Sequence, residues 1–162
     1  MKLRFAVLTI VVGATAAASH ALAAEPTPPA AEAAAPSGPP SAWKEMSKEQ
    51  KAKYMKEVVT PKMKVAFQAF DADEFAKFNC GTCHGKGAKN KTFKMPNPDI
   101  YVLPGTPEEF KALIEKKPKW MKFMGETVKP TMAALLGMKN FDPKAPVEGA
   151  FACHNCHTVK GK

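Results

Sequence analysis

The sequence predicts an all-α domain, on three observations. No stretch alternates apolar and polar residues as a half-buried strand would, two capping boxes stand ahead of helical patterns, and a ten-residue helical segment occurs twice. Taken in order, Ser47-x-x-Gln50 is a capping box that opens a helix to about Val59. Thr60 then serves as N-cap for a helix that Pro61 starts and that runs to about Phe70, because proline at a first helical position gives up no needed hydrogen bond. Asp71 or Asp73 caps a short helix over 74–78. Residues 85–105 hold most of the local glycine, asparagine and proline and read as an irregular loop. Thr106-Pro107-Glu108-Glu109 is the second capping box, and its helix ends before Pro118. Residues 120–127 and 130–138 form a last helical pair, the second member again opened by a proline, Pro130, behind the poorer cap Lys129.

Composition divides the chain into three. Residues 1–23 read as an export signal: Lys2 and Arg4, an apolar run from Phe5 to Ala18, then the small-x-small site Ala21-Leu22-Ala23. The run is too short and alanine-rich for a membrane span, although an uncleaved leader would act as an anchor. Residues 24–41 are almost entirely Ala, Pro, Glu, Ser, Thr and Gly, too poor in large apolar side chains to offset the entropy of ordering. They read as a disordered linker. Residues 42–162 are long enough for one domain with a modest core. Loss of Lys2 and Arg4 would lower the formal charge from +9 to +7 (9 − 2) and remove the sole arginine. Nucleic-acid recognition draws on arginine's forked donors, so that class is disfavoured; a lysine surface instead suits acidic partners, with a solvated surface serving no single partner as the plain alternative.

Four cysteines and three of the four histidines fall in two matching motifs, CGTCH at 80–84 and CHNCH at 153–157. C-x-x-C-H is the pattern of covalent haem attachment: Cys80 and Cys83, and Cys153 and Cys156, would form thioethers to haem vinyl groups, with His84 and His157 as proximal iron ligands. One helical turn sets both sulfurs along one macrocycle edge and drops the imidazole under the metal. Three other readings exist. Cys-x-x-Cys disulfides close loops too small to be useful staples. A zinc site of two Cys-x-x-Cys knuckles usually keeps them closer in sequence than Cys83 and Cys153. A thioredoxin-like pair needs a β-α-β scaffold that the pattern lacks.

On these ten residues the chain resembles bacterial dihaem c-type cytochromes. The resemblance implies two haem c groups, a small haem-packed fold with irregular loops, and one-electron transfer. A repeat extends the picture: 54–63 (YMKEVVTPKM) aligns with 123–132 (FMGETVKPTM) as aromatic-M-x-E-x-V-x-P-x-M. Two related helix-plus-C-x-x-C-H units follow, about 42–105 and 106–162. A methionine-bearing helix ahead of the haem motif is similar in order to the haem units of photosynthetic reaction-centre cytochrome subunits.

Too few histidines remain for bis-histidine ligation at both irons, so methionine is the expected sixth ligand, which raises the reduction potential. The repeat nominates Met63 and Met132, with Met55 and Met124 as the equivalent alternatives. Met95, in the 93–98 loop (FKMPNP), competes for the first haem, and for every one of these methionines core packing is the plain alternative. His154, between the cysteines of its own motif, reads as an exposed or hydrogen-bonded residue near a haem edge. Phe67, Phe70, Phe78, Phe93, Phe141 and Phe151 are expected to line the crevices. The expected role is an electron relay between redox proteins outside the cytoplasmic membrane. A dihaem peroxidase and a gas-binding sensor are the alternatives, each needing an open iron position.

Overall fold

The structure, a computed structural model, describes residues 38–162. The expected export signal and residues 24–37 of the expected linker lie outside the described residues. The domain is mostly helical. Among the described residues there is no sheet, and extended pairing is limited to three isolated parallel bridges, Asn97 with His157, Leu103 with Val159, and Asn140 with Phe151.

Two long helices organise it. The first begins at the Ser47 capping box, where Gln50 N–H donates to Ser47 Oγ at 3.2 Å and Ser47 N–H donates to Gln50 Oε1 at 2.7 Å. It runs without a break through Lys48–Tyr54, a π-helical turn Met55–Val59, and Thr60–Phe70. The second has the same build: Pro118–Phe123, a π-helical turn Met124–Val128, and Lys129–Leu135. Two pairs of shorter helices were expected from the sequence, with Thr60 and Lys129 as caps; neither residue caps anything. Both have helical backbone and their N–H groups donate to Met55 O and Met124 O, five residues back.

The prolines explain the wide turns. A proline inside a helix lacks a donor and its ring crowds the carbonyl four residues back. The wider turn just before Pro61 and Pro130 opens the ladder there, so the chain passes through instead of stopping. The extra residue also sets the buried face. Tyr54, Val59, Met63 and Phe67 are all buried at steps of five, four and four, and their repeat partners are Phe123, Val128, Met132 and Leu136. A regular helix would carry Val59 about 140° away from Tyr54's face over that first five-residue step.

The long helices cross antiparallel, the last segment of each against the π turn of the other. Tyr54 Oη donates to Leu135 O at 2.7 Å at one end of the crossing. At the other, Phe123 meets Phe67 edge-on at 5.0 Å and stacks on Phe70 at 4.2 Å. Phe75, Phe78 and Trp120 complete this aromatic cluster. Such ring pairs add roughly 0.5–1.5 kcal/mol each beyond area burial.

Other boundaries moved for local reasons. The expected helix over 74–78 is a run of turns: Asp71 Oδ1 does cap it, accepting from Glu74 N–H at 2.9 Å, but so short a segment does not sustain helical hydrogen bonding. The loop at 85–105 contains one helical turn, Lys86–Lys89. Thr106 Oγ1 caps Pro107–Lys116 as expected, while Glu109 reaches back to Gly105 N–H instead of Thr106. The second long helix stops at Leu135, short of Met138, because Gly137 (φ 64°) reverses the chain. Met138 N–H returns to Ala133 O and Gly137 N–H to Ala134 O, a full Schellman closure.

Candidate functional site

Each cysteine motif folds as a single turn, and the same chemical device closes both. In the first, Cys80–His84 is one helical turn capped by Asn79, whose Oδ1 accepts from Gly81 N–H at 2.7 Å, while Thr82 Oγ1 accepts from Asn79 N–H at 3.1 Å. In the second, a 3-10 turn at Cys153–Asn155, Asn155 Oδ1 accepts from Ala152 N–H at 2.7 Å and His157 N–H closes on Cys153 O at 3.0 Å. Thr82 and Asn155 hold the same place in C-x-x-C-H, so the variable position before the second cysteine carries the acceptor that ties the turn to its lead-in.

The outer cysteine Cys80 is exposed, whereas Cys83, Cys153 and Cys156 are half-buried, and all four are free thiols. Burial, with the neighbouring thiols adding to it, pushes Cys83 up to about 11 and Cys156 up to about 12. Both inner thiols therefore stay protonated and poorly nucleophilic at neutral pH. Among the described residues no three His, Cys, Asp or Glu side chains converge as a metal cage.

The histidines differ. His157 Nδ1 lies 2.8 Å from Tyr101 O, the contact that fixes a ring in the Nδ1–H tautomer and leaves Nε2 bare for a metal. His84 Nδ1 is buried with no hydrogen-bond partner, desolvation lowers its affinity for a proton, and Phe93 stands edge-on to its ring at 5.3 Å. A neutral imidazole is the metal-binding form. His154 is exposed, as expected, and lines a cavity of about 230 Å³ with Leu103, Pro104, Phe110, Phe141 and Cys153.

The methionines divide by cluster. Met63 is 3% exposed within the aromatic cluster, against which Cys83 packs. Met132 is half-buried and packs against both that cluster and a smaller one of Ala133, Leu136 and Phe151, where Cys156 also packs. Met55 touches both clusters, and Met124 the first. Met95 is half-buried on the 91–98 loop and is not among the residues packed on either. Phe67, Phe70 and Phe78 pack on one another's neighbours in the core, Phe151 anchors the smaller cluster, and Phe93 is 38% exposed.

Sequence reasoning missed Asn97 and Tyr101. Asn97 is 2% exposed, the sole buried polar side chain among the described residues, and it touches both motifs. Tyr101 acts through a backbone carbonyl, which no side-chain pattern reveals. Compared with family models, curated proteins and solved structures, the chain matches none.

Proposed function

We propose that this chain is an exported dihaem c-type cytochrome that relays single electrons between redox proteins. The observation that carries the reading is the pair of C-x-x-C-H turns, each presenting two thiols and an imidazole in the order that covalent haem attachment requires. Each haem supplies a one-electron iron couple when bound. Cys80 and Cys83, and Cys153 and Cys156, anchor the groups; His84 and His157 serve as proximal ligands. Tyr101 O holds the His157 ring in its ligating tautomer. Met63 and Met132 are the proposed distal ligands, with Met95, Met55 and Met124 as alternatives.

The finer architecture, two helix-plus-motif units, draws support from the matching π turns, which place Met63 and Met132 at equivalent points 69 residues apart (132 − 63). Export and a periplasmic location rest on residues 1–23. Among the described residues no helix is long and apolar enough to cross a membrane, and the role needs none. Lys86, Lys89, Lys91 and Lys94 are exposed beside the first motif and suit an acidic docking surface.

Potentiometry on haem-loaded protein tests the role. The relay reading expects two one-electron steps and no carbon monoxide binding by the reduced form. Carbon monoxide binding to one iron, with peroxide turnover, would replace it by the peroxidase reading; binding without turnover, by the sensor reading.

A further inference from the structure

Asn97 belongs to neither motif, yet it holds both. Its Nδ2 donates to Cys83 O at 2.8 Å, its backbone N–H donates to Cys156 O at 2.8 Å, and its Oδ1 accepts from Asp99 N–H at 2.9 Å. The amide orientation follows from these partners, since a flipped amide would set oxygen against the Cys83 carbonyl and N–H against the Asp99 N–H. Cys83 and Cys156 immediately precede His84 and His157, so the two carbonyls belong to the peptide units that carry the proximal imidazoles. One residue thus spans the distance between them.

The surroundings make this span stiff. Asn97 lies between Pro96 and Pro98, and the residue before a proline is driven to extended backbone, the conformation in which Asn97 bridges His157. Downstream, Leu103 N–H donates to Thr158 O and Lys160 N–H to Leu103 O, continuing the same parallel contact. At 2% exposure Asn97 has no water to replace a lost partner, and a buried polar group left unmatched is strongly disfavoured.

We propose that Asn97 is the positioning residue that sets the relative orientation of the two haem-bearing turns, and through it the electronic coupling between the haems. This rests on the dihaem reading. Asn97 contacts no reacting atom; it acts on both proximal histidines through the carbonyls that precede them.

The test uses fully matured protein, with haem counted on each sample. Two neighbouring haems whose orientation is fixed give a bisignate circular-dichroism couplet in the Soret region, and their potentials separate by a fixed interval. Asn97→Leu keeps the volume and removes both side-chain bonds. It is expected to keep two covalent haems while losing the couplet and shifting the interval between the potentials; Asn90→Ala, an exposed control seven residues upstream, changes neither. Asn97→Asp keeps the bonds to Asp99 and Cys156 and turns only the Cys83 contact repulsive, so it decides the matter should the leucine variant not fold. On unmodified protein, the Asn97 amide is expected to exchange as slowly as the helix core. Two haems with an unchanged couplet in both variants, two haems with no couplet in the unmodified protein, or an Asn97 amide exchanging like an exposed loop overturns the proposal and leaves the dihaem reading intact. Fewer than two haems in the unmodified protein overturns both.

Discussion

Replacing Tyr54 by phenylalanine removes one atom from the crossing of the long helices, and its effect can be worked out in advance. Tyr54 Oη donates to Leu135 O at 2.7 Å, and the two residues are 81 apart in sequence. Tyr54 is 9% exposed and Leu135 fully buried. Leu135 ends its helix, and past it the chain is reversed by Gly137, so its carbonyl lacks the usual donor one turn ahead. Without the phenol that oxygen is buried and unmatched, which costs about 1–3 kcal/mol. With a urea m-value of about 1–3 kcal/mol/M, the midpoint falls by about 1 M while m stays constant. Urea titration followed by far-ultraviolet circular dichroism provides the assay. Tyr101→Phe is the control: its ring is 50% exposed, its phenol is outside the hydrogen bonds found, and its carbonyl is untouched, so it should stay within about 0.5 kcal/mol. A Tyr54→Phe loss no larger than the control's would refute the claim that this bond ties the two helices together.

Asn79→Ala removes the cap of the first motif's turn and should cost about 0.5–2 kcal/mol by the same urea assay, while Asn90→Ala, which loses only exposed contacts from Thr92, stays within about 0.5 kcal/mol. Leu135→Ala, at the one large side chain with no exposure among the described residues, should cost about 2–5 kcal/mol and lower the midpoint more than any exposed helix substitution. The Glu109 carboxylate is held below its usual range, first by the hydrogen bond from Lys160 and then by Gly105 N–H. Its folded-state value is depressed, so its contribution is present above the ordinary carboxylate value near ~4.3 and is lost as pH falls through the lowered one. Exchange protection of 158–162 should therefore drop in the native chain only on acidification below the ordinary carboxylate range and show no such step in Glu109→Gln; the same pH step in both would contradict the assignment.

How much could be read from the sequence varies with the kind of signal. Ser47 and Thr106 were legible as caps because a cap is a local bargain between a side chain and an N–H three residues on. Pro61 and Pro130 misled, since a proline reads as a stop unless the helix widens before it. The five-four-four spacing of Tyr54, Val59, Met63 and Phe67, repeated at Phe123, Val128, Met132 and Leu136, was the available sign that it does. Gly137 likewise marked the second helix's end. The motif residues were visible as chemistry, but their meeting was not: it depends on Asn97 and on Tyr101 O, contacts between segments 14 to 59 residues apart in which the backbone supplies most of the partners. Pro96 and Pro98 mark Asn97 as extended, but nothing in a linear pattern says which carbonyls it meets.

The central claim is that both C-x-x-C-H turns carry haem. A pyridine haemochrome titration against protein concentration, on material matured by a cytochrome c assembly system, tests it most directly. The account predicts two covalent haems per chain, falling to one in Cys80→Ala/Cys83→Ala and to one in Cys153→Ala/Cys156→Ala. A native chain with no covalent haem, its four thiols still free to alkylating reagent, would contradict it.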